Sequence, residues 1–236
     1  MTSIKTVDVC LTPDLLHLYS VADRSVVVVD IFRATSCMVT ALANGVVSIT
    51  PFANLEECRA MKAKGYQTAG ERDGKMVEGF DHGNSPFEYM TEEVKGSQIA
   101  FTTTNGTQAI AKSLGAREII IGAFLNLSAV ATHLRKQDNN VLIVCAGWKG
   151  KFNLEDTLFA GALMSLLEGE FEPECDAPRA AQQLYLSARN DMKAFLANAS
   201  HVKRLAKLNV VKDIEFCLTN DVYNVVPILK DGVLKL

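Results

Sequence analysis

Carboxylates and hydroxyls placed where apolar strands run out are the residues in this chain best suited to chemistry. "VVVVDIFRATS" puts Asp30 at the end of four valines, with Arg33, Thr35 and Ser36 close behind. A carboxylate there can ligate a metal, act as a nucleophile or cap a helix. Arg33 can clamp a phosphate with two parallel hydrogen bonds, or lay its stem along the sheet edge. "AFTTTNGTQ" ends another apolar run in Thr103, Thr104, Asn105 and Gly106. Glycine admits close backbone approach, a helix start offers free N–H groups and threonine adds hydroxyls, so the stretch suits phosphate or sulfonate. It also reads as a plain Asn105-Gly106 turn with Thr104 or Asn105 capping a helix. "VCAGWKGKFNLED" supplies Gly147, Gly150, Asn153, Glu155 and Asp156. The two acids are hard-oxygen ligands for magnesium in one reading, and first-turn acids behind an Asn153 cap in the other.

The densest polar stretch is "GERDGKMVEGFDHGNSPFEY", residues 70–89, which sets Glu71, Arg72, Asp73, Asp81, His82 and Asn84 among four glycines. Ser85, Pro86 and Glu88 have the spacing of a capping box, which predicts a helix start. A glycine-rich loop so full of ionisable groups points to function. Cys145 ends an apolar strand and reads as a buried, structural thiol. Cysteine-phosphatase chemistry is excluded because no cysteine has an arginine six residues on. Phe32 occupies the position where haloacid-dehalogenase-type phosphatases carry a second aspartate.

These residues need elements to carry them, and the pattern supplies an alternation. "SVVVVD" reads as a strand buried on both faces, and "ATSCMVTALANG" as a helix closed by Gly45. "VSITPF", "YQTAGE", "SQIAFTTT", "EIIIGA" and "NVLIVCAG" are further strands, separated by helical segments through Gly65, 106–115, 126–137 and 154–168. Beyond Ala177 a helical face runs through Ala181, Leu184, Tyr185, Ala188, Met192, Phe195 and Leu196, and a shorter helix through Val202, Leu205 and Leu208. "VVPILKDGVLKL" predicts strand, Asp231-Gly232 turn, strand. The expectation is an α/β fold, three layers α/β/α around a mostly parallel, mixed sheet, as one domain over residues 1–236. In such sheets ligands sit beyond the carboxyl ends of the strands, so parallel strands would bring all three polar turns to one rim.

Composition narrows the function. With 48% hydrophobic and 22% charged residues the chain is globular, and a formal net charge of −3 gives no footprint for nucleic acid or an anionic membrane. "MTSIKTVDVC" lacks the apolar core of a signal peptide, and no apolar run reaches the ~20 residues of a spanning helix. The six scattered cysteines, with no C-x-x-C pair, suggest reduced thiols in a cytoplasmic protein.

Taken together and in this order, "VVVVDIFRATSCMVTALANG", "GERDGKMVEGFDHGNSPFEY", "TTTNGTQA", "VLIVCAGWKGKFNLEDTLFAGAL" and "VVPIL" resemble the 2-phosphosulfolactate phosphatase family along nearly the whole chain. Cys37 stands where the family often has threonine. The resemblance implies a magnesium-dependent phosphomonoesterase converting 2-phospho-3-sulfolactate and water to 3-sulfolactate and phosphate, a step of coenzyme M biosynthesis in some organisms. On that reading Asp30, Arg33, Glu71 and Arg72 carry catalysis. Substrate would be bound by Thr35, Ser36, Asp81, Asn84, Ser85, Thr103, Thr104, Asn105, Gly106 and Gly147. Asp30, Glu155 and Asp156 would hold Mg2+. The partner is a small anionic phosphorylated substrate, and a homo-oligomer is compatible with this reading. Two rivals remain at this stage: a phosphatase for another small phosphorylated hydroxy acid, and a non-catalytic binder of small anions, for which carboxylates beside phosphate would be of no use.

Overall fold

The computed structural model describes residues 4–208 and 210–236; the first three residues of "MTSIKTVDVC" lie outside it. Eleven strands form one mixed sheet: β1 (Lys5–Cys10), β2 (Arg24–Val29), β3 (Ser48–Pro51), β4 (Gln67–Arg72), β5 (Lys75–Met76), β6 (Gln98–Thr102), β7 (Glu118–Gly122), β8 (Asn140–Cys145), β9 (Phe171–Pro173), β10 (Ile228–Lys230) and β11 (Val233–Lys235). Their spatial order is β5-β4-β6-β3-β11-β10-β7-β2-β8-β1-β9. Val26 to Val29 are fully buried, as continuous β-branched residues on a strand covered on both faces require. The helices are α1 (Ala34–Ala43), α2 (Leu55–Ala60), α3 (Gly106–Lys112), α4 (Leu127–Arg135), α5 (Leu154–Leu167), α6 (Asp176–Ala188), α7 (Met192–Leu196), α8 (Ser200–Leu205) and α9 (Val211–Cys217). They cover the sheet in a three-layer α/β/α arrangement, with α4, α5 and α6 side by side and α1 against α3. The central helix α5 is buried along most of its length, with apolar residues on all sides. Among the described residues no helix is long and apolar enough to cross a membrane.

The predicted C-terminal hairpin is present, and Asp231 and Gly232 both have positive φ (51° and 78°), as a tight two-residue turn demands. Its position was not legible. The hairpin lies between two parallel groups: β10 pairs antiparallel with β7, and β11 antiparallel with β3. By that connection β3, β6 and β4 run opposite to β7, β2, β8 and β1 in the sense of the sheet. The expectation of a single rim of parallel strands is therefore corrected. The turns still converge, because neighbouring strands rotate by ~20–25° and five steps separate β2 from β6, so the direction turns by roughly 100–125°. That rotation swings the carboxyl ends of the second group back towards those of the first.

The predicted capping box is also absent. Ser85 precedes a short 3-10 turn, Pro86–Tyr89, with no side-chain cap bond; its hydroxyl donates to Asp213 and Glu88 accepts from the Gly83 N–H. Both partners are distant or loop groups that the local spacing does not reveal.

Candidate active site

Asp30 follows the buried valines of β2 and is held from both sides. Its N–H donates to Thr35 Oγ1 (3.0 Å), and its carbonyl accepts from the Thr35 N–H (3.0 Å). Ser36 Oγ donates to the Ile31 carbonyl (2.9 Å). The next turn is tied across the sheet: Asp156, on the first turn of α5, accepts from the Ile31 N–H (2.9 Å) and the Gly147 N–H (3.0 Å). One buried carboxylate thus joins the turn after β2 to the turn after β8. Glu71 does the same for the other strand group, accepting from Thr104 N–H (2.7 Å) and Gly74 N–H (2.6 Å). Asn105 stands at the N-cap of α3 but makes no side-chain cap bond; Thr103 takes that part instead, its hydroxyl accepting from the Thr107 N–H (3.2 Å) while the Thr107 hydroxyl accepts from the Thr103 N–H (3.1 Å). Gly106 is a close approach, since a Cβ there would sit 2.8 Å from Ala34 Cβ and 2.9 Å from Asp30 Oδ2.

A cavity of about 470 Å³ opens where these turns meet. Its floor carries buried Asp30, Glu71 and His201; Asn84, Thr104 and Asn105 form a wall; Trp148, Lys149 and Arg204 stand at the mouth. Several buried atoms here have no partner within the protein: Asn84 Oδ1, Thr104 Oγ1, Glu155 Oε2 and Arg204 Nη2. Buried polar atoms are nearly always satisfied, so these atoms in and beside the lining make the cavity the candidate ligand site.

The acids are crowded. Burial pushes Asp30 up to about 7; the His201 ring opposes the rise, the Glu71 and Glu155 carboxylates add to it, and a backbone hydrogen bond from Ala34 favours the charged form. Burial, then Glu155 and Asp30, hold Asp156 well above the usual carboxylate range. Glu155 is fully buried, with Oε1 2.5 Å from His201 Nδ1 and Oε2 unpartnered. That donor chemistry fits a small divalent cation: magnesium takes one or two carboxylates and completes its shell with water and substrate phosphate. Asp30 lines the cavity; Glu155 lies outside its lining, joined to the cavity residue His201, and keeps Oε2 without a protein partner. Asp156 has both oxygens on backbone N–H groups, and among the described residues no group of three or more His, Cys, Asp or Glu side chains is arranged around one metal position.

Other expected residues stand elsewhere. Arg33 lines the cavity, but its guanidinium is paired with buried Asp213 of α9 and donates to the Gly74 carbonyl (3.3 Å). Ser85 joins the same Asp213 (3.1 Å). Arg72 is outside the lining, bonded to Thr102 Oγ1 (2.9 Å) and the Glu71 carbonyl (2.7 Å). Asp81 points away, to Lys62 Nζ (2.7 Å) and Thr68. Thr35, Ser36, Thr103 and Gly147 shape the backbone around the cavity without lining it. Asn153 makes no cap bond; its Nδ2 lies 3.3 Å from His201 Nδ1. His201, Arg204, Asp213 and Trp148 were not found from the sequence. A signal existed for the first two: His201, Arg204, Leu205 and Leu208 share one helical face, so two polar residues lie on the inward side of a helix read only for its leucines and valine.

Comparison with known proteins shows the family. The family model for 2-phosphosulpholactate phosphatase matches residues 10–232. The chain belongs to the 2-phosphosulfolactate phosphatase family. It is similar to a protein of Caldanaerobacter subterraneus subsp. tengcongensis, 42% identical over 219 residues that cover 90% of each chain. A Thermotoga petrophila protein is 43% identical over 213 residues, covering 90% of this chain and 92% of its own. A Clostridium tetani protein is 37% identical over 233 residues, covering 97% and 99%. All three carry the name "Probable 2-phosphosulfolactate phosphatase". The chain is thus an enzyme, and a member of this family is by class a phosphoric monoester hydrolase acting on a small phosphorylated substrate.

Proposed function

We propose that the protein hydrolyses 2-phospho-3-sulfolactate to 3-sulfolactate and phosphate in a magnesium-dependent reaction at this cavity. The observation that supports the proposal is a cavity lined by buried Asp30 and Glu71 together with Thr104 and Asn84, whose Oγ1 and Oδ1 have no protein partner. Asp30 and Glu155 would hold the cation, which would supply positive charge against the phosphoryl oxygens and make a bound water more acidic. Thr104 and Asn84 line the cavity, and their enclosed, unpartnered oxygens are the groups that would meet the phosphoryl group and its water. Glu71 and Asp156 keep the four turns in register, so neither is free to serve as nucleophile in this arrangement. The six unpaired cysteines support a reducing, cytoplasmic setting, and the product would serve coenzyme M-type biosynthesis where that pathway exists.

Phosphate release from 2-phosphosulfolactate should require a divalent cation; turnover undiminished after exhaustive EDTA treatment would refute that. Asp30→Asn should weaken magnesium binding by calorimetry and lower turnover at least ~100-fold, since metal charge stabilisation is worth several kcal/mol. In single-turnover H2-18O experiments label should enter phosphate directly. A phosphorylated peptide containing Asp30 would show that Asp30 is a nucleophile instead. A near-wild-type rate for Asp30→Asn at saturating magnesium would leave it as a helix cap.

A further inference from the structure

The cavity is bipolar. Its floor carries Asp30 and Glu71, with Glu155 behind His201, whereas its mouth carries Lys75, Lys149, Arg204 and Lys207, offset there only by Asp73. Asp73 is taken up by Lys149 (3.2 Å). The acidic floor suits a cation and the phosphoryl group it binds; the cationic mouth has no such work to do for a neutral alcohol.

Arg204 is the positioned member of that mouth. Its Cζ lies 4.0 Å from the Trp148 ring centroid, a stacking distance for guanidinium on indole. The backbone under Trp148 is fixed, its main-chain N–H donating to the Lys151 carbonyl (2.7 Å) and its carbonyl accepting from the Lys151 N–H (3.0 Å). The three lysines are exposed, and Lys149 is taken up by Asp73 and the Trp148 ring (4.5 Å), but Arg204 is half-buried, with Nη2 enclosed and unpartnered. Its Nη1 makes only a long contact with Ser200 Oγ (3.5 Å). Arg204 and His201 are three residues apart on α8, so the helix turns both towards the cavity, one at the floor and one at the mouth. A planar, pre-oriented guanidinium with free donors is a receptor for an oxyanion.

We propose that Arg204, seated on Trp148, binds a second acidic group of the substrate, so that the site selects phosphomonoesters carrying a carboxylate or sulfonate beyond the ester carbon. This rests on the phosphatase reading and adds the residue that sets its specificity. The alternative is that Arg204 holds the phosphoryl group itself, in which case it serves every phosphoester alike.

The test compares 2-phosphosulfolactate, 2-phospholactate and isopropyl phosphate in the wild type and in Arg204→Gln and Arg204→Lys, with magnesium present and thermal melts confirming the fold. Arg204→Gln should lower kcat/KM for 2-phosphosulfolactate about 10- to 100-fold, the range that hydrogen bonds to a charged group support, mainly through KM. Activity on isopropyl phosphate should change less than about twofold. Loss on 2-phospholactate as well assigns the carboxylate; loss confined to 2-phosphosulfolactate assigns the sulfonate. Arg204→Lys should restore part of the loss. Inhibition by 3-sulfolactate should weaken in Arg204→Gln while inhibition by inorganic phosphate stays. An equal loss on all three esters, equal weakening of both inhibitors, or no effect overturns the proposal. A wild type that hydrolyses none of the esters overturns the phosphatase reading, and this inference with it.

Discussion

Cys145 sits at the carboxyl end of β8, one residue from the cavity turns, and is fully buried. Burial holds its thiol well above the ordinary range, with Asp156, Cys10 and Glu155 adding to the rise, so the thiolate that would react is suppressed. Cys10, Cys37, Cys58 and Cys217 are also buried, and Cys175 alone is exposed. Iodoacetamide on the native protein should therefore label Cys175 only, as read by peptide mass spectrometry, and Cys145→Ser should keep substantial activity. Native labelling of Cys145 together with loss of turnover would revive a covalent cysteine route. At this scale the sequence was readable where a side chain's surroundings are its own strand: Asp30 and Thr104 end buried runs and do reach the cavity. It misled where a residue is consumed by a distant partner. Nothing near Arg33 announces Asp213, 180 positions away, and nothing near Asp81 announces Lys62 as its holder.

Helix α5 shows how an element positions the site. Its first turn carries Glu155 and Asp156, and its orientation is set further along by contact with α6. Gly161 is where the two helices touch most closely: a Cβ there would lie 2.0 Å from the Ala181 carbonyl oxygen and 2.9 Å from Tyr185 Cβ. Both contacts are to groups with no room to swing aside. Gly161→Ala should force the helices apart and cost roughly 1–3 kcal/mol, the usual range for overpacking. The measurement is a denaturant melt, in which the midpoint should fall with the slope unchanged; an unaltered midpoint would mean the helices have slack. The elements themselves were largely legible, because periods of two and 3.6 residues are local, and Gly45 and Gly65 do end their helical segments with positive φ. β1 was not read as a strand, since Lys5, Thr6 and Asp8 interrupt its apolar pattern, and three-residue β9 is too short to show one.

At the scale of the molecule, the C-terminal hairpin joins two strand groups that share no other pairing among the described residues. Leu234 is fully buried and faces Ile49 across the β11–β3 junction. Leu234→Ala should cost about 2–5 kcal/mol, as large-to-small changes in packed cores do, and hydrogen exchange should speed up on both sides of the junction. A loss below ~1 kcal/mol, or one confined to the hairpin, would show that the halves hold together without it. Layering and alternation followed from pattern, but the reversal of β3, β6 and β4 did not, because strand order depends on pairings between segments more than a hundred residues apart.

The same hairpin sets an order of events during synthesis. Every other strand precedes β10 and β11 in the chain, so as the ribosome delivers the polypeptide, β7 and β3 emerge with one edge each that has nothing to pair with. Bare edges of apolar strands are templates for pairing with other chains. Until residues 228–235 are delivered, those two edges lack the strands that pair with them in the folded protein. A chain stalled shortly before the hairpin is thus a candidate for chaperone capture.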